Sequence, residues 1–311
     1  MGKILVVGSI NMDIVIRVPH IPSIGETVIA CEMKNYGGGK GANQAISIAR
    51  LGGNVYMIGR VGSDNYGKKL YYDLKENGVD VEGIEFDEDL PTGRAYISVS
   101  EKGENNIVVF QGANKNLGVE QVVKYQNVFN EVEMCVLQLE IPLETVKFIV
   151  NLCHQKDIRV ILNPAPAREL SDDILEKIYV LTPNETELFF LTKNKIESVS
   201  DIQNASKYLL DKGVQNIITT IGEKGCFLIN KDIKKLFKAV KVDVVDTTAA
   251  GDSFTGALAV ALDEGKNIEE AVEFATYVAA LTITREGAQS SLPYREEVEK
   301  FISERSKKVS N

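Results

Sequence analysis

The chain has 311 residues, of which 44% are hydrophobic and 25% are charged, so it can bury a large core as one α/β domain or as a domain with a smaller appendage. Its formal net charge of −9 at pH 7 argues against a nucleic-acid or anionic-membrane surface, because such partners require a basic field. Any phosphate that the protein binds must therefore be held by a local site.

Apolar runs rich in β-branched residues recur along the chain and predict strands that are covered on both faces of a parallel sheet. In chain order, these runs are 4–10, 55–61, 134–139, 159–163, 179–182 and 216–221. Helical stretches lie between them at 42–51, 66–77, 144–156 and 200–212, and 252–305 is predicted to be mostly helix. This alternation predicts an α/β fold with a doubly wound, mainly parallel sheet and helices on both faces.

The segments 13–36 and 92–111 break this alternation. Both alternate apolar and polar residues, contain turn-forming Pro and Gly, and show no helical period. We interpret them as antiparallel strands in a small separate β layer, either a lid or a dimerisation sheet. This layer is predicted to be inserted in a single α/β domain that spans residues 1–311.

Hydrogen-bonding and acidic residues follow most of the predicted strands. In open parallel sheets, ligands bind at the carboxyl ends of the strands, so these residues predict a binding site along one rim. A strand usually ends in a polar residue, and this alone explains any single one of these residues. It explains six such positions less well. The six polar residues are Asn11, Asp13, Glu140, Asn163, Asn184 and Glu187, and the run 216–221 is followed by Gly222 and Gly225.

The glycine cluster GGGKGAN, residues 37–43, precedes the first predicted helix. It is not a P-loop, because Gly-x-x-x-x-Gly-Lys-Ser/Thr occurs nowhere in the chain, and the preceding CEMKNY is a poor buried strand for a dinucleotide fingerprint. We expect the glycines to let backbone amides approach a hydroxylated ligand, with Lys40 and Asn43 adding hydrogen bonds. A plain flexible turn before a helix is the alternative.

The stretch DTTAAGDSFTGALAVAL, residues 246–262, places the small residues Ala249, Ala250 and Gly251 directly before Asp252, where a helix is predicted to begin. The first amides of a helix lack partners and carry partial positive charge, so this segment can act as an anion hole for a phosphate. A carboxylate repels phosphate, so Asp252 is better suited to take a proton from the attacking hydroxyl as a general base. The alternative is an ordinary N-cap, for which Asp is favoured.

Phosphoryl transfer also needs charge neutralisation and positioning. Asn184 and Glu187, in TPNETE, are spaced like one helical turn and could both reach water molecules around a magnesium ion. An acidic helix N-terminus without any metal is the alternative interpretation.

The content of cysteine and histidine limits the kinds of site that the protein can have, and the N-terminal sequence bears on its location. The cysteines have no paired spacing, so neither a disulfide framework nor a zinc site is predicted, and we expect buried thiols in a reducing compartment. His20 and His154 lie in settings that favour neither acid–base catalysis nor metal binding. The first apolar run is too short for a signal peptide or a spanning helix, so a cytoplasmic protein is expected. The cysteines are Cys31, Cys135, Cys153 and Cys226.

Seven motifs resemble the ribokinase group of carbohydrate kinases. They are GSINMD, GGKGANQA, QLEIPLE, NPAPAREL, TPNETE, DTTAAGDSFTGAL and TREGAQSS. These motifs follow the order of the family from residue 8 to about residue 293, and AAGD and GGKGAN are the specific ones. The resemblance implies transfer of a phosphoryl group from ATP to the 5-hydroxyl of D-ribose.

The resemblance also implies roles for individual residues. The implied sugar contacts are Asn11, Asp13, Gly39, Lys40, Asn43 and Glu140, with Asp252 as the base. The implied nucleotide site contains Asn184, Thr220, Gly222, Gly225 and Thr276, and the phosphate is held by Ala249, Ala250 and Gly251. Glu187 is implied to place Mg²⁺ through water. Thr276 stands where relatives often carry His or Asn, which leaves the contacts to the adenine base open.

A potassium ion beside the anion hole is a further implication of the resemblance. Oxygen ligands, largely backbone carbonyls, suit a hard monovalent cation. Thr248 departs from the family pattern, because relatives often have an apolar residue there. The implied ligands are Asp246, Thr248, Thr282, Arg285, Gly287 and Ser291. The segments 13–36 and 92–111 resemble the family's lid, which closes over the sugar and pairs with the lid of another subunit, so a homodimer is implied.

Two other functions stay open at this stage. A sibling kinase that acts on deoxyribose, another pentose, fructose or a nucleoside differs only in contacts to single hydroxyls. A non-catalytic sugar-binding or regulatory protein could keep the same fold. The presence of Asp252, Gly251 and Glu187 argues against the second, because binding alone has no use for a base that faces an anion hole.

Overall fold

The computed structural model describes residues 2–309 and the side chains of residues 2–305. The strands in this part of the chain are β1 (Lys3–Val7), β2 (Asn11–Val18), β3 (Glu32–Gly38), β4 (Asn54–Gly62), β5 (Asp80–Asp87), β6 (Gly93–Ser100), β7 (Asn105–Phe110), β8 (Val132–Leu137), β9 (Arg159–Leu162), β10 (Val180–Leu181), β11 (Asn216–Thr220), β12 (Cys226–Ile229) and β13 (Lys234–Phe237). The α-helices are α1 (Lys40–Arg50), α2 (Asn65–Glu76), α3 (Val119–Lys124), α4 (Leu143–Gln155), α5 (Asp172–Leu175), α6 (Glu185–Thr192), α7 (Val199–Asp211), α8 (Ala250–Asp263), α9 (Ile268–Thr282) and α10 (Arg295–Val309).

The large sheet has nine strands in the order β13-β12-β11-β10-β9-β8-β1-β4-β5. Pairing is parallel from β5 to β11 and antiparallel at β11–β12 and β12–β13. All six apolar runs of the sequence lie in this sheet, so the prediction of a mainly parallel, doubly wound sheet is confirmed. The strand order reverses at β1, which has β4 on one side and β8 on the other, and such a switch point is where open α/β sheets bind ligands.

Helices cover both faces of the large sheet, as expected. Successive residues of β1 point to opposite faces, so Ile4 and Val6 join one apolar core and Leu5 and Val7 join the other. The first core contains side chains from α1, α2, α8, α9 and α10, and the second contains side chains from α3 to α7. Burial on both faces is the physical reason that these strands read as continuous apolar runs.

The segments 13–36 and 92–111 form a separate four-stranded sheet, which we call the lid sheet, with the order β3-β2-β6-β7. Each segment is an antiparallel hairpin, β2 with β3 and β6 with β7, which confirms the predicted small β layer. The two hairpins meet through β2 and β6, and this pairing is parallel. Both hairpins contribute their first strand to this junction, and these two strands run in the same direction.

Two further expectations concern the burial of the cysteines and the presence of membrane-spanning helices. Cys135, Cys153 and Cys226 are buried, but Cys31 is exposed, so the prediction of a buried thiol is wrong for Cys31. Its position between β2 and β3, in the hairpin loop at the outer end of the lid sheet, explains the exposure. Among residues 2–309, every helix is too short or too polar to traverse a bilayer.

Candidate active site

The start of helix α8 is bare of side chains that could cap it. Its N-cap residue, Ala249, adopts the left-handed conformation with φ of 61°, and among residues 2–305 no side chain caps the first-turn amides. A Cβ atom added at Gly251 would meet nothing within 4 Å. The Ala250 amide donates to the Thr247 carbonyl at 3.3 Å, whereas the amides of Gly251 and Asp252 have no backbone partner among the described residues. The partial positive charge of these two amides creates a place for an anion.

The carboxylate of Asp252 does not cap α8. Instead it accepts a hydrogen bond on Oδ2 from Asn43 Nδ2 at 2.9 Å and one on Oδ1 from Gln44 Nε2 at 3.0 Å. Both donors belong to α1, and Asp252 is only 6% exposed. The N-cap alternative is therefore wrong. The carboxylate is held at the floor of the site by two amides that suit its ionised form.

Helix α1 begins where the glycine cluster meets the end of β1. Gly39 has a φ of 89°, and a Cβ there would lie 2.6 Å from the backbone N of Asn11, so only glycine fits. The Lys40 amide donates to Glu140 Oε2 at 3.3 Å, and Ser9 Oγ donates to the same oxygen. The glycine cluster is thus not a plain flexible turn, because it is packed against two other segments.

Asn11 and Asp13 lie on the same face of β2, at the base of the lid sheet, and both are buried. Asn114 fixes Asn11 through its Nδ2 atom, which donates to Asn11 Oδ1 at 2.7 Å. The same side chain accepts from the Ile10 amide at 2.9 Å. Sequence reasoning missed Asn114, which lies in no motif and reaches the site only through the fold.

Four carboxylates surround one lysine at the centre of the site. Burial raises the pKa of Asp13 to about 7, and the nearby charges of Glu140 and Asp252 add to the effect. Desolvation lowers the pKa of Lys40, but Asp252, Glu140, Glu187 and Asp13 together outweigh it, and the net pKa is raised. Lys40 therefore stays a cation that offsets the negative charge of this cluster.

Asn184 and Glu187 form a capping box at the start of α6. Asn184 Oδ1 accepts from the Glu187 amide at 2.8 Å, and Glu187 Oε2 accepts from the Asn184 amide at 2.9 Å. The two residues therefore form an acidic helix N-terminus, which is the alternative interpretation of the sequence. Both side chains also line a cavity of about 250 Å³. Burial is the main cause that raises the pKa of Glu187. Oxygen atoms at such a position suit Mg²⁺ through intervening water.

Two adjoining cavities share Thr220, Ala250 and Gly251. The smaller, of about 250 Å³, is also lined by Ala249 and Asp252 of the α8 segment and by predicted residues from three other segments, namely Lys40, Asn163, and Asn184 with Glu187. The larger, of about 640 Å³, also contains Gly222, Gly225 and Thr276 and has mostly apolar walls from residues 239–244 and 279–283. Sequence reasoning missed two residues common to both cavities, Thr247 and Phe254. The larger cavity can hold a flat apolar group next to the anion hole.

Thr276 offers limited hydrogen bonding to a ligand in the larger cavity. Its hydroxyl donates to the Val272 carbonyl at 2.8 Å and lies 3.8 Å from Cys226 Sγ. Since the hydroxyl proton is already used, Thr276 can only accept a further bond. Burial raises the pKa of Cys226 to about 12, so this thiol stays protonated.

Asp246 ties the loop before α8 to the loop that follows α9. Its Oδ1 accepts from Thr248 N at 2.9 Å and from Thr248 Oγ1 at 2.6 Å, and its Oδ2 accepts from the Gly287 amide at 3.0 Å. The hydroxyls of Thr282 and Ser291 bond to carbonyls of their own segments, and the Arg285 guanidinium pairs with Glu297. Asp246, Thr248 and Gly287 are thus brought together beside the anion hole.

Comparison with known proteins identifies the family. The profile of the pfkB family carbohydrate kinases matches residues 1–295. The chain belongs to the pfkB family of carbohydrate kinases. As a family member it is a phosphotransferase whose acceptor is an alcohol group, which agrees with a carboxylate beside an anion hole.

Several relatives of this pfkB kinase are similar over nearly their full length. The chain is 40% identical to a ribokinase of Bacillus subtilis, covering 97% of this chain and 100% of the relative. It is 39% identical to a ribokinase of Haemophilus influenzae, covering 96% and 97%. A deoxyribokinase of Salmonella typhi is 36% identical, covering 96% and 98%.

Solved structures of pfkB relatives share the fold. The ribokinase of Thermotoga maritima superposes with a TM-score of 0.89 at 43% identity, covering 97% of this chain and 100% of the other. The ribokinase of Arabidopsis thaliana, complexed with ribose and ATP, gives a TM-score of 0.90 at 33% identity, covering 96% and 98%. The mainly parallel sheet with its added lid sheet is thus the architecture of these kinases.

Proposed function

We propose that this kinase transfers the terminal phosphoryl group of ATP to the 5-hydroxyl of D-ribose. One observation carries the proposal. The buried Asp252 carboxylate belongs to the first turn of α8, whose amides no side chain among residues 2–305 caps, so a proton acceptor and an anion hole share one cavity. Relatives named as ribokinases, and a relative complexed with ribose and ATP, support the choice of substrates.

In this proposal, Asp252 takes the proton of the sugar hydroxyl as its oxygen attacks the phosphorus atom. The amides at Ala249, Ala250 and Gly251 stabilise the charge that develops on the phosphoryl oxygens. Lys40, which lines the same cavity, neutralises part of this charge. The proton therefore goes to Asp252, the phosphoryl group goes to the sugar, and ADP leaves.

The sugar is proposed to lie between the lid sheet and the start of α1. Asn11 and Asp13 offer buried polar groups from β2, Asn43 offers one from α1, and the half-buried Glu140 lies after β8 at the rim of the large sheet. Gly39 and Lys40 contribute close backbone approach and a cationic side chain. A pocket of amides and carboxylates suits a polyol, because each hydroxyl can both donate and accept.

The substrate is tested by a sugar panel with ATP, Mg²⁺ and coupled detection of ADP. We expect D-ribose to give the highest kcat/KM among ribose, 2-deoxyribose, other pentoses, fructose and nucleosides. A higher value for deoxyribose would assign the chain to the activity named for its Salmonella relative. Ribose binding without any phosphorylation would instead favour a sugar-binding protein.

The nucleotide is proposed to occupy the larger cavity, with its base near Thr276 and its phosphates running past Thr220, Gly222 and Gly225 to Gly251. Asn184 borders the phosphate path, and Glu187 would hold Mg²⁺ through water, since Asn184 already engages both of its carboxylate oxygens. A bound Mg²⁺ would offset phosphate charge during transfer.

A monovalent cation is proposed beside the anion hole, with Asp246 and Thr248 supplying oxygens and the segments of Thr282, Arg285, Gly287 and Ser291 supplying carbonyls. The donor set fits, because Asp246 already joins Thr248 to Gly287 at this place. We expect severalfold higher activity in potassium than in sodium buffer, measured at equal ionic strength. Asp246→Ala is expected to abolish the difference, and equal rates for the unmodified enzyme would refute the cation site.

A homodimer through the lid sheet is also proposed. The edge strand β7 exposes a run of apolar side chains, with Ile107 54% and Val108 61% exposed, and an open apolar edge is a template for pairing with another chain. Adjacent strand residues point to opposite faces, so Ile107→Lys with Val108→Lys charges both faces of β7.

This double variant is expected to run as a monomer in light scattering, with a dimer for the unmodified chain. Val123→Lys, at an exposed apolar site on α3 outside the lid sheet, is the matched control and should leave the dimer intact. A monomeric unmodified chain would contradict the proposal.

We further propose a single kinase domain over residues 1–311 and a cytoplasmic location.

A further inference from the structure

We propose that Gln44 and Gln138 form a chain of two amides that positions the Asp252 carboxylate. The inference rests on the proposed role of Asp252 as the base, and it adds two positioning residues. Neither glutamine lines the cavities that hold the substrates. Gln44 Nε2 donates to Asp252 Oδ1 at 3.0 Å, and Gln138 Nε2 donates to Gln44 Oε1 at 2.6 Å.

The direction of this chain is fixed by the chemistry of an amide. Each amide donates from nitrogen and accepts at oxygen, so a donor from Gln138 to Gln44 Oε1 turns the Gln44 NH₂ group toward Asp252. An ionised carboxylate accepts only, which matches the NH₂ group that faces it. Were Gln44 to turn over, its carbonyl oxygen would face the carboxylate and repel it.

Packing holds both glutamines in place. Gln44 is 0% and Gln138 is 1% exposed. A Cβ atom added at Gly8, directly after β1, would lie 2.0 Å from Gln138 Oε1. Only glycine at this position leaves room for the Gln138 side chain. Gln138 follows β8 directly, at the switch point of the sheet, while Gln44 and Asp252 come from α1 and α8.

Gln138 Oε1 is buried and has no hydrogen-bond partner among the described residues. A buried polar atom without a partner lowers stability, and such atoms are few in native proteins. An apolar side chain at this position would avoid that cost. The presence of glutamine is therefore better explained by what its nitrogen does to Gln44 than by a contribution to folding.

Other charged groups also face Asp252, and they stay unchanged when the glutamines are replaced. Lys40 attracts its charge, and Asp13 and Glu187 repel it. Glu140 acts on Asp13 and Lys40 in the same cluster. A change in pH profile on replacing Gln44 or Gln138 therefore reports the amide chain and not these charges.

The test uses Gln44→Met and Gln138→Met, which keep the side-chain length and remove the hydrogen bonds. For Gln44→Met we expect kcat to fall by about 10- to 100-fold, as when a reacting group is misplaced, with KM for sugar and ATP little changed. The acid limb of the kcat–pH profile should move up by about one pH unit, because a donor to the charged form is lost. Gln138→Met should shift both quantities in the same direction by less.

The double variant separates a chain from two independent sites. Because Gln138 acts through Gln44, adding Gln138→Met to Gln44→Met is expected to lower kcat by less than about twofold further, which is the signature of coupling in a double-mutant cycle. Gln121→Met is the matched control. Gln121 is also buried and donates to the Gly59 and Gly83 carbonyls, remote from the cavities, so its loss should lower the Tm and leave the pH profile unchanged.

The unmodified enzyme is assayed in parallel on the sugar from the panel that it phosphorylates fastest. An unmodified enzyme that phosphorylates no sugar refutes the proposed function and the inference with it. Normal turnover of the unmodified enzyme, together with Gln44→Met and Gln138→Met variants that keep kcat and the acid limb, overturns the inference alone. Multiplicative losses in the double variant also overturn it. If Gln44→Met does not fold, Gln138→Met decides, since it leaves every group that touches Asp252 in place.

Discussion

Asp252→Asn is expected to lower kcat by about 10²- to 10⁴-fold, the range that a general base contributes, with sugar and ATP binding nearly unchanged. Asparagine has the size of aspartate but cannot take the proton of the sugar hydroxyl. The one oxygen that asparagine keeps can still accept from Asn43 or Gln44, both of which reach this position from α1. Turnover is measured by coupled ADP detection, and binding is measured by calorimetry with each substrate.

A structural side effect of this variant can be separated from the loss of the base. The new NH₂ group must face the NH₂ of Asn43 or Gln44, which is expected to cost about 1–3 kcal/mol of stability. Asp252→Ala has no such conflict, so a similar loss of kcat in both variants assigns the effect to the missing carboxylate. Asp263→Asn, at the far end of α8, is the control and should keep full activity. Near-normal turnover of Asp252→Asn would refute the assignment of the base.

Gly251→Leu is expected to lower kcat/KM for ATP by at least about 10²-fold, comparable to the loss of an oxyanion-hole donor. A Cβ at this position meets nothing within 4 Å, so the protein should fold normally. The leucine side chain extends into the space where both cavities meet. There it keeps the terminal phosphate away from the amides of the first turn.

Stability and activity should move in opposite directions in this variant. Replacing glycine by leucine in a helix favours folding by up to about 1 kcal/mol, so the Tm should stay the same or rise. Gly251→Ala adds only one methyl group and is expected to retain much more activity than Gly251→Leu, which gives a graded series. An unchanged kcat/KM for ATP in Gly251→Leu would show that the phosphate does not lie at α8.

Six inner strands of the large sheet could be predicted, whereas the inner strand β12 and the two edge strands were missed. Strands β1, β4, β8, β9, β10 and β11 are buried on both faces and therefore read as apolar runs. β5 at one edge carries alternating charged residues, as in DVEGIEFD, and β13 at the other edge begins with two exposed lysines. An edge strand has less apolar surface to bury, so its local sequence resembles a loop.

The parallel junction of the lid sheet was beyond the reach of local patterns. Alternation predicted antiparallel strands in the two segments, and in the structure each segment forms one hairpin. The pairing of β2 with β6 joins Asn11 to Gly93 across more than 80 positions of the chain. The local sequence of a hairpin does not specify the direction of such a distant partner strand. That direction depends on where each hairpin leaves the large sheet.

By itself, the sequence determined the fold class, the start of α8 and most of the residues that line the smaller cavity. These features depend on local chemistry: apolar periodicity, small residues before a helix, and polar residues after buried strands. Only the tertiary structure decided that Asp252 is bonded by Asn43 and Gln44 and not used as a cap, and that Gln138 and Asn114 support the site. These contacts join elements that lie far apart in the chain, so their geometry exists only once α1, α8 and the ends of β1 and β8 are packed together.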